Sequence, residues 1–261
     1  MNNEYQRINI RFSKSMESDR TFGTGMKNEY RHVRFGLFAA EDITAADGTS
    51  IPENGLIAEI GLNDDMTAEF TEKLPFSRYY VQEISTDESY VLNGEKYLVN
   101  FEYTGQTHPT VDIDCGTFHN KIKRGDIMGM KINENGEPLE KAVFGLFRND
   151  ETEFTEESAY CITQSDEEGR FSFSDIPYGE YIVKETESPT GYVLSDELYP
   201  VVIGEDGDAA EINAENRPVD ETKKETPVTP TVPTTPMTGD AGRSPVGLVM
   251  LILGVTGLLY T

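Results

Sequence analysis

The feature that most constrains this sequence is that it repeats itself. The run LPFSRYYVQEIST (74–86) aligns with IPYGEYIVKETES (176–188), pairing Pro75 with Pro177, Tyr79 with Tyr181, Val81 with Val183 and Glu83 with Glu185. At the same spacing of 102 residues, YVLNGEKYLVNF (90–101) matches YVLSDELYPVVI (192–203), while VRFGLF (33–38) matches AVFGLF (142–147) at a spacing of 109. An offset held across separate segments and altered only by loop length marks a duplicated domain. The fold must therefore be one that about 100 residues can complete, and complete twice.

Each copy reads as short alternating runs bounded by turn dipeptides: Asp47-Gly48, Asn54-Gly55, Asn93-Gly94, Asn135-Gly136 and Asp206-Gly207. No segment carries a sustained helical period. The pattern predicts an all-β chain of two tandem antiparallel Ig-like sandwiches, residues 5–123 and 124–217. The 13 Tyr and 13 Phe supply more apolar material than disordered chains carry. Forty-seven acidic against 22 basic side chains give a net charge of −25, which repels nucleic acid and anionic membrane surfaces. Cys115 and Cys161 fall in different copies and read as buried or half-buried free thiols. His32, His108 and His119 lack metal-ligand spacing, so no metal and no cofactor is expected. The acidic segments Asp166–Gly169 and Glu205–Asp208 lack the D-x-[DN]-x-[DN]-G calcium pattern and read as hairpin turns.

Beyond Arg217 the composition changes. Residues 218–235 interleave Pro with Thr, a composition that cannot pack a core and favours an extended, semi-rigid spacer. Residues 235–261 hold Thr-Pro-Met-Thr-Gly, a small polar stretch, and an uncharged run of 16 residues from Val246 to Thr261. That run is shorter than the ~20 residues a transmembrane helix needs, so it reads as a truncated membrane segment.

Strand parity aims certain polar residues at the core. In INIRFSK the inward set is Ile8, Ile10, Phe12 and then Lys14. The repeated runs turn Tyr79, Val81, Glu83 and Tyr181, Val183, Glu185 inward, while AEINAEN turns in Ile212, Ala214 and Asn216, and Asn120 shares a face with Phe118. Lys131 stands apart, because its face carries Ile127 and Gly129 while Met128, Met130 and Ile132 lie opposite. Buried charges of this kind pair, shift their ionisation or react.

These residues, the F-G-L-F strand and the Y-x-V-x-E-T-x-x-P-x-G-Y run at 181–192 resemble the Cna B-type, or SpaA-like, prealbumin-like domains of Gram-positive pilins and adhesins. The first copy lacks the P-x-G part of that run. The resemblance implies a Lys–Asn isopeptide bond in each copy, with an acidic residue as proton shuttle: Lys14, Glu83 and Asn120, then Lys131, Glu185 and Asn216. Burial of a lysine beside a carboxyl group favours the uncharged forms, leaving an amine able to attack an amide carbon with loss of ammonia. Such a step occurs once and is not enzymatic turnover.

Thr235, Pro236, Met237, Thr238 and Gly239 resemble the L-P-x-T-G sorting signal of sortase substrates, with Thr235 in the place of the usual Leu or Ile. That resemblance implies a sortase partner, cleavage after Thr238, and attachment through Thr238 to peptidoglycan or a pilus subunit on the cell wall. The leading expectation is a secreted structural stalk or adhesin module. An alternative is that the two domains themselves recognise a host matrix protein or glycan, which an exposed aromatic patch would favour. A hydrolase with paired carboxylates would need Glu83 and Glu185 in a shared cleft.

Overall fold

The computed structural model describes residues 6–44, 48–105 and 109–220. Sixteen strands follow one another: β1 (Arg7–Met16), β2 (Arg34–Ala39), β3 (Ile43–Thr44), β4 (Ser50–Ile51), β5 (Leu56–Gly61), β6 (Thr67–Phe70), β7 (Ser77–Ser85), β8 (Lys96–Phe101), β9 (Thr110–Asn120), β10 (Arg124–Asn133), β11 (Val143–Arg148), β12 (Cys161–Gln164), β13 (Arg170–Pro177), β14 (Gly179–Glu187), β15 (Leu198–Ile203) and β16 (Ala209–Asn216). The one helical element among the described residues is a 3-10 turn, Glu29–His32. No helix among them is long and apolar enough to cross a membrane, and both Val246–Thr261 and the sorting-signal residues 235–239 lie outside them.

Each copy is a sandwich of a three-stranded and a four-stranded sheet. The first orders β6-β1-β9 against β5-β2-β7-β8, and the second orders β13-β10-β16 against β12-β11-β14-β15. The pairing is antiparallel except at one place in each copy: β1 runs parallel to β9, and β10 runs parallel to β16. The first and last strands of each domain therefore lie side by side, pointing the same way.

Two separate apolar cores fill the sandwiches. Ile8, Ile10, Phe12, Phe35, Leu37, Val81 and Phe118 lie in the first, and Ile127, Phe144, Leu146, Phe171, Val183 and Ile212 in the second. Alternation along β1 explains the burial of Ile8, Ile10, Phe12 and Lys14 in turn. On β9 that alternation breaks. Cys115 is buried, and then Phe118 and Asn120 are, because a bulge opposite Arg11–Ser13 shifts the register by one residue. Gly116, at φ 73, takes the left-handed conformation there. Without that bulge, the phase set by Cys115 would turn Thr117 and His119 inward and Asn120 outward.

The two acidic turns depart from the sequence expectation. Asp166–Gly169 joins β12 to β13 and Glu205–Asp208 joins β15 to β16, and each pair of strands belongs to opposite sheets. They are corners between layers and not hairpins. Their carboxylates accept from turn backbone: Asp166 Oδ1 from the Arg170 N–H at 2.7 Å, and Asp208 Oδ2 from the Gly204 N–H at 2.7 Å.

Candidate functional site

The first triad is assembled by three strands. Parallel pairing sets Lys14 opposite Phe118 and Met16 opposite Asn120, so Lys14 and Asn120 are same-face diagonal neighbours. β7, in the facing sheet, brings Glu83 across the core. Lys14 Nζ lies 2.6 Å from Glu83 Oε2 and 2.6 Å from Asn120 Oδ1, and Asn120 Nδ2 donates to Glu83 Oε1 at 2.7 Å. The second hydrogen on Nδ2 reaches Thr86 Oγ1 at 2.9 Å. All three triad residues are buried, with relative exposures of 4%, 2% and 3%.

The second triad repeats the diagonal, with Lys131 opposite Ala214 and Asn133 opposite Asn216. Lys131 Nζ is 2.5 Å from Asn216 Oδ1 and 3.4 Å from Glu185 Oε1, while Asn216 Nδ2 donates to the same Oε1 at 2.9 Å. The other carboxylate oxygen accepts the Ser195 backbone N–H at 2.9 Å. Lys131, Glu185 and Asn216 are likewise buried, and among the described residues no buried side-chain nitrogen or oxygen lacks a partner.

Both lysines sit against the aromatic ring that opens the F-G-L-F strand. Lys14 Nζ lies 5.5 Å from the Phe35 centroid and Lys131 Nζ 5.9 Å from that of Phe144. Burial lowers both lysines below their ordinary value, and this outweighs the opposing hydrogen bond and charge of Glu83 or Glu185. The geometry places a carboxyl group between an amine and the nitrogen of an amide, hydrogen-bonded to both in the first copy and, in the second, hydrogen-bonded to the amide and ion-paired with the amine. Such a group can take a proton from the first and deliver one to the second.

Lys131, whose face looked irregular in sequence, is fully buried. Its neighbour Gly129 opposes Phe171, whose ring would meet a Cβ at Gly129 at 2.0 Å. That ring stacks on Phe144 at 3.9 Å. In the first copy the large and small residues are exchanged: Phe12 opposes Ala68 and lies 4.5 Å from Phe35. The aromatic beside each lysine pocket thus comes from the lysine's strand in one copy and from its neighbour in the other.

Two supporting groups were not legible beforehand. Thr86 follows Glu83 by three residues, a spacing that carries no signal alone, and Ser195 contributes only its backbone N–H. Glu83 and Glu185 are both buried, one beside each of the two separate cores. Burial pushes the Cys115 thiol up to about 12 and raises Cys161, which suits packed thiols and not nucleophiles. His32 and His119 are exposed, and His108 lies outside the described residues.

Residues 125–218 match the family model of the SpaA prealbumin-like fold domain. The second sandwich thus resembles that domain family, and the first repeats the second's strand order about the same three residue types. Among solved structures, the Bacillus anthracis TIE protein is similar with a TM-score of 0.57 and 19% identity, over 81% of this chain and 34% of that one. The C-terminal fragment of the pilus adhesin SpaC from Lactobacillus rhamnosus GG gives a TM-score of 0.47 and 14% identity over 81% of this chain and 98% of that one. GBS52, the minor pilin of Streptococcus agalactiae, gives 0.34 and 18% over 88% and 100%. The likeness to the TIE protein, at 19% identity, is one of fold. No curated protein sequence matches the chain.

Proposed function

We propose that the chain is a structural shaft of a Gram-positive surface protein or pilus, in which each domain closes one Lys–Asn isopeptide bond. The observation that carries this reading is the buried amine, carboxyl and amide triad, built twice across the first and last strands of its domain. The neutral Lys14 amine attacks Cγ of Asn120. The new Cγ–Nζ bond forms as the Cγ–Nδ2 bond breaks, Glu83 moves a proton from Nζ to Nδ2, and ammonia leaves. Lys131, Asn216 and Glu185 carry out the same exchange in the second copy. Each step consumes its own residues, so the chain modifies itself once and has no turnover.

The mechanical consequence follows from the parallel pairing. Tension would enter along β1, cross from Lys14 to Asn120, pass residues 121–123 into β10, and cross from Lys131 to Asn216. The 106-residue and 85-residue separations between the joined residues would stay off that path. Proteolytic digestion should yield a branched peptide joining Lys14 to Asn120 and another joining Lys131 to Asn216. Recovery of the four linear peptides alone would refute the reading.

By the same proposal the shaft is displayed on the cell wall, with sortase acting at Thr238 of the residues 235–239 and peptidoglycan or a pilus subunit as acceptor. A second reading, recognition of a host matrix protein or glycan by these domains, has one observation in its favour. Phe76 and Tyr103 are exposed at 50% and 60%, and their rings meet edge to face at 5.9 Å. Stacking on such a pair suits a sugar ring, and loss of glycan binding in Phe76→Ala with Tyr103→Ala would separate it from the shaft reading.

A further inference from the structure

The two copies differ most in one connection. From Lys14 to Phe35 the chain advances 21 residues, and from the equivalent Lys131 to Phe144 it advances 13, so the first copy carries eight extra residues between its first two strands. That connection turns back on itself through a bridge between Asp19 and Thr24 and reaches the second copy.

Phe22 packs against the second core, with its ring stacked on Tyr160 at 4.4 Å and edge-on to Tyr181 at 5.8 Å. Arg124, the first residue of β10, donates through Nη2 to Glu17 Oε1 at 2.8 Å and Asp19 Oδ2 at 3.2 Å, and through Nη1 to the Asp175 carbonyl at 2.9 Å. Glu17 also accepts the Ile122 N–H at 3.0 Å through Oε2, donates its own N–H to the Asn120 carbonyl at 3.0 Å, and presents its carbonyl to Tyr90 Oη at 2.7 Å. The side chains of Arg124 and Asp19 are only 20% and 19% exposed, so this ion pair is better shielded from solvent than the molecule's surface pairs.

We infer that residues 17–24 of the first copy are a clasp whose partner is the second copy: Glu17 and Asp19 hold Arg124, and Phe22 completes the edge of the second core. Three residues separate β9 from β10, too few to hold an orientation by length alone but few enough for this grip to fix it. The clasp lies between Lys14 and Asn120 in sequence. It therefore sits off the tension path and acts on bending between the domains and on the stability of the second. Its formation does not require the isopeptide bonds.

The test uses the full chain with Asp19→Ala and Phe22→Ala together, both on the first copy and away from either triad. Residual dipolar couplings of the unaltered chain should fit one alignment tensor across both domains, and those of the double variant should need two. Amide exchange in β12 and β14 should be faster by about tenfold, the consequence of losing an aromatic contact worth about 1.4 kcal/mol. Unfolding of the second domain alone would also support the clasp, since both changes lie outside it. Two tensors in the unaltered chain, or one tensor and unchanged exchange in the variant, would overturn it. Intact mass of the same samples reports bond formation separately, so failure of the clasp is distinguishable from failure of the bond chemistry.

Discussion

The two triads place the same three groups together but support them differently. In the first copy Glu83 assigns one oxygen to Lys14 and the other to Asn120, and Thr86 takes the remaining amide hydrogen. In the second, a single oxygen of Glu185 faces both Lys131 and Asn216, and the other is tied to the Ser195 backbone. The pockets differ in the same way, since Phe12 opposite Ala68 is replaced by Gly129 opposite Phe171. What the duplication preserves is the placement of amine, carboxyl and amide. What it lets vary is the packing that holds them, provided total volume is kept.

That comparison can be broken most forcefully by pulling. With the bonds formed, neither domain should lengthen under load. Asn120→Ala should release about 350 Å of chain and Asn216→Ala about 280 Å, from separations of 106 and 85 residues at about 3.3 Å each. At equilibrium each variant should lose about 4–5 kcal/mol, by analogy with a cross-link closing a loop of that size, measured by denaturant unfolding. Equal extension before and after either substitution would show that the bonds carry no load.

The packing difference predicts the next largest effects. Gly129→Val drives a side chain into the Phe171 ring and should destabilise the second domain by about 1–3 kcal/mol, leaving the first unchanged by domain-resolved amide exchange. Gly116→Ala meets no neighbour within 4 Å, so its cost is conformational: about 1–2 kcal/mol for a left-handed alanine, confined to the first domain. Neither substitution has a sequence-equivalent effect in the other copy, because the second has no bulge on its last strand and the first has no glycine under its aromatic.

The smallest effect is one of rate. Attack requires the unprotonated amine, and burial lowers both lysines below 10.5, so bond formation on refolding should accelerate as pH rises and level off below that value. Because the folded lysine sheds a proton that the unfolded one keeps, the unbonded chain also gains stability with rising pH between the lowered value and 10.5, and loses it as pH falls. Thr86→Val should slow only the first bond and leave the second unaffected, read by the time course of ammonia loss. Equal slowing of both bonds would refute a local role for Thr86.

Much of this architecture was legible in the sequence. Duplication and alternation gave two all-β copies, and strand phase aimed Lys14, Glu83, Glu185 and Asn216 inward without reference to any relative. The phase of Asn120 could be read only from Phe118 onward, because the Gly116 bulge resets it and a lone glycine in a strand announces no direction. Lys131 was obscured for a different reason: Gly129 leaves a gap that a ring from β13 fills, and sequence phase along one strand cannot see its neighbour. The parallel pairing of first and last strands, the sheet-to-sheet corners and the reach of Phe22 are long-range choices. The last left only a loop-length difference as its trace.

The central claim is covalent, and intact mass tests it most directly. The folded chain should weigh less than its sequence by two molecules of ammonia, Glu83→Gln or Glu185→Gln should each restore one, and the double variant should restore both. A full, unmodified mass for the folded chain, or a loss of ammonia that persists in the double variant, would contradict it.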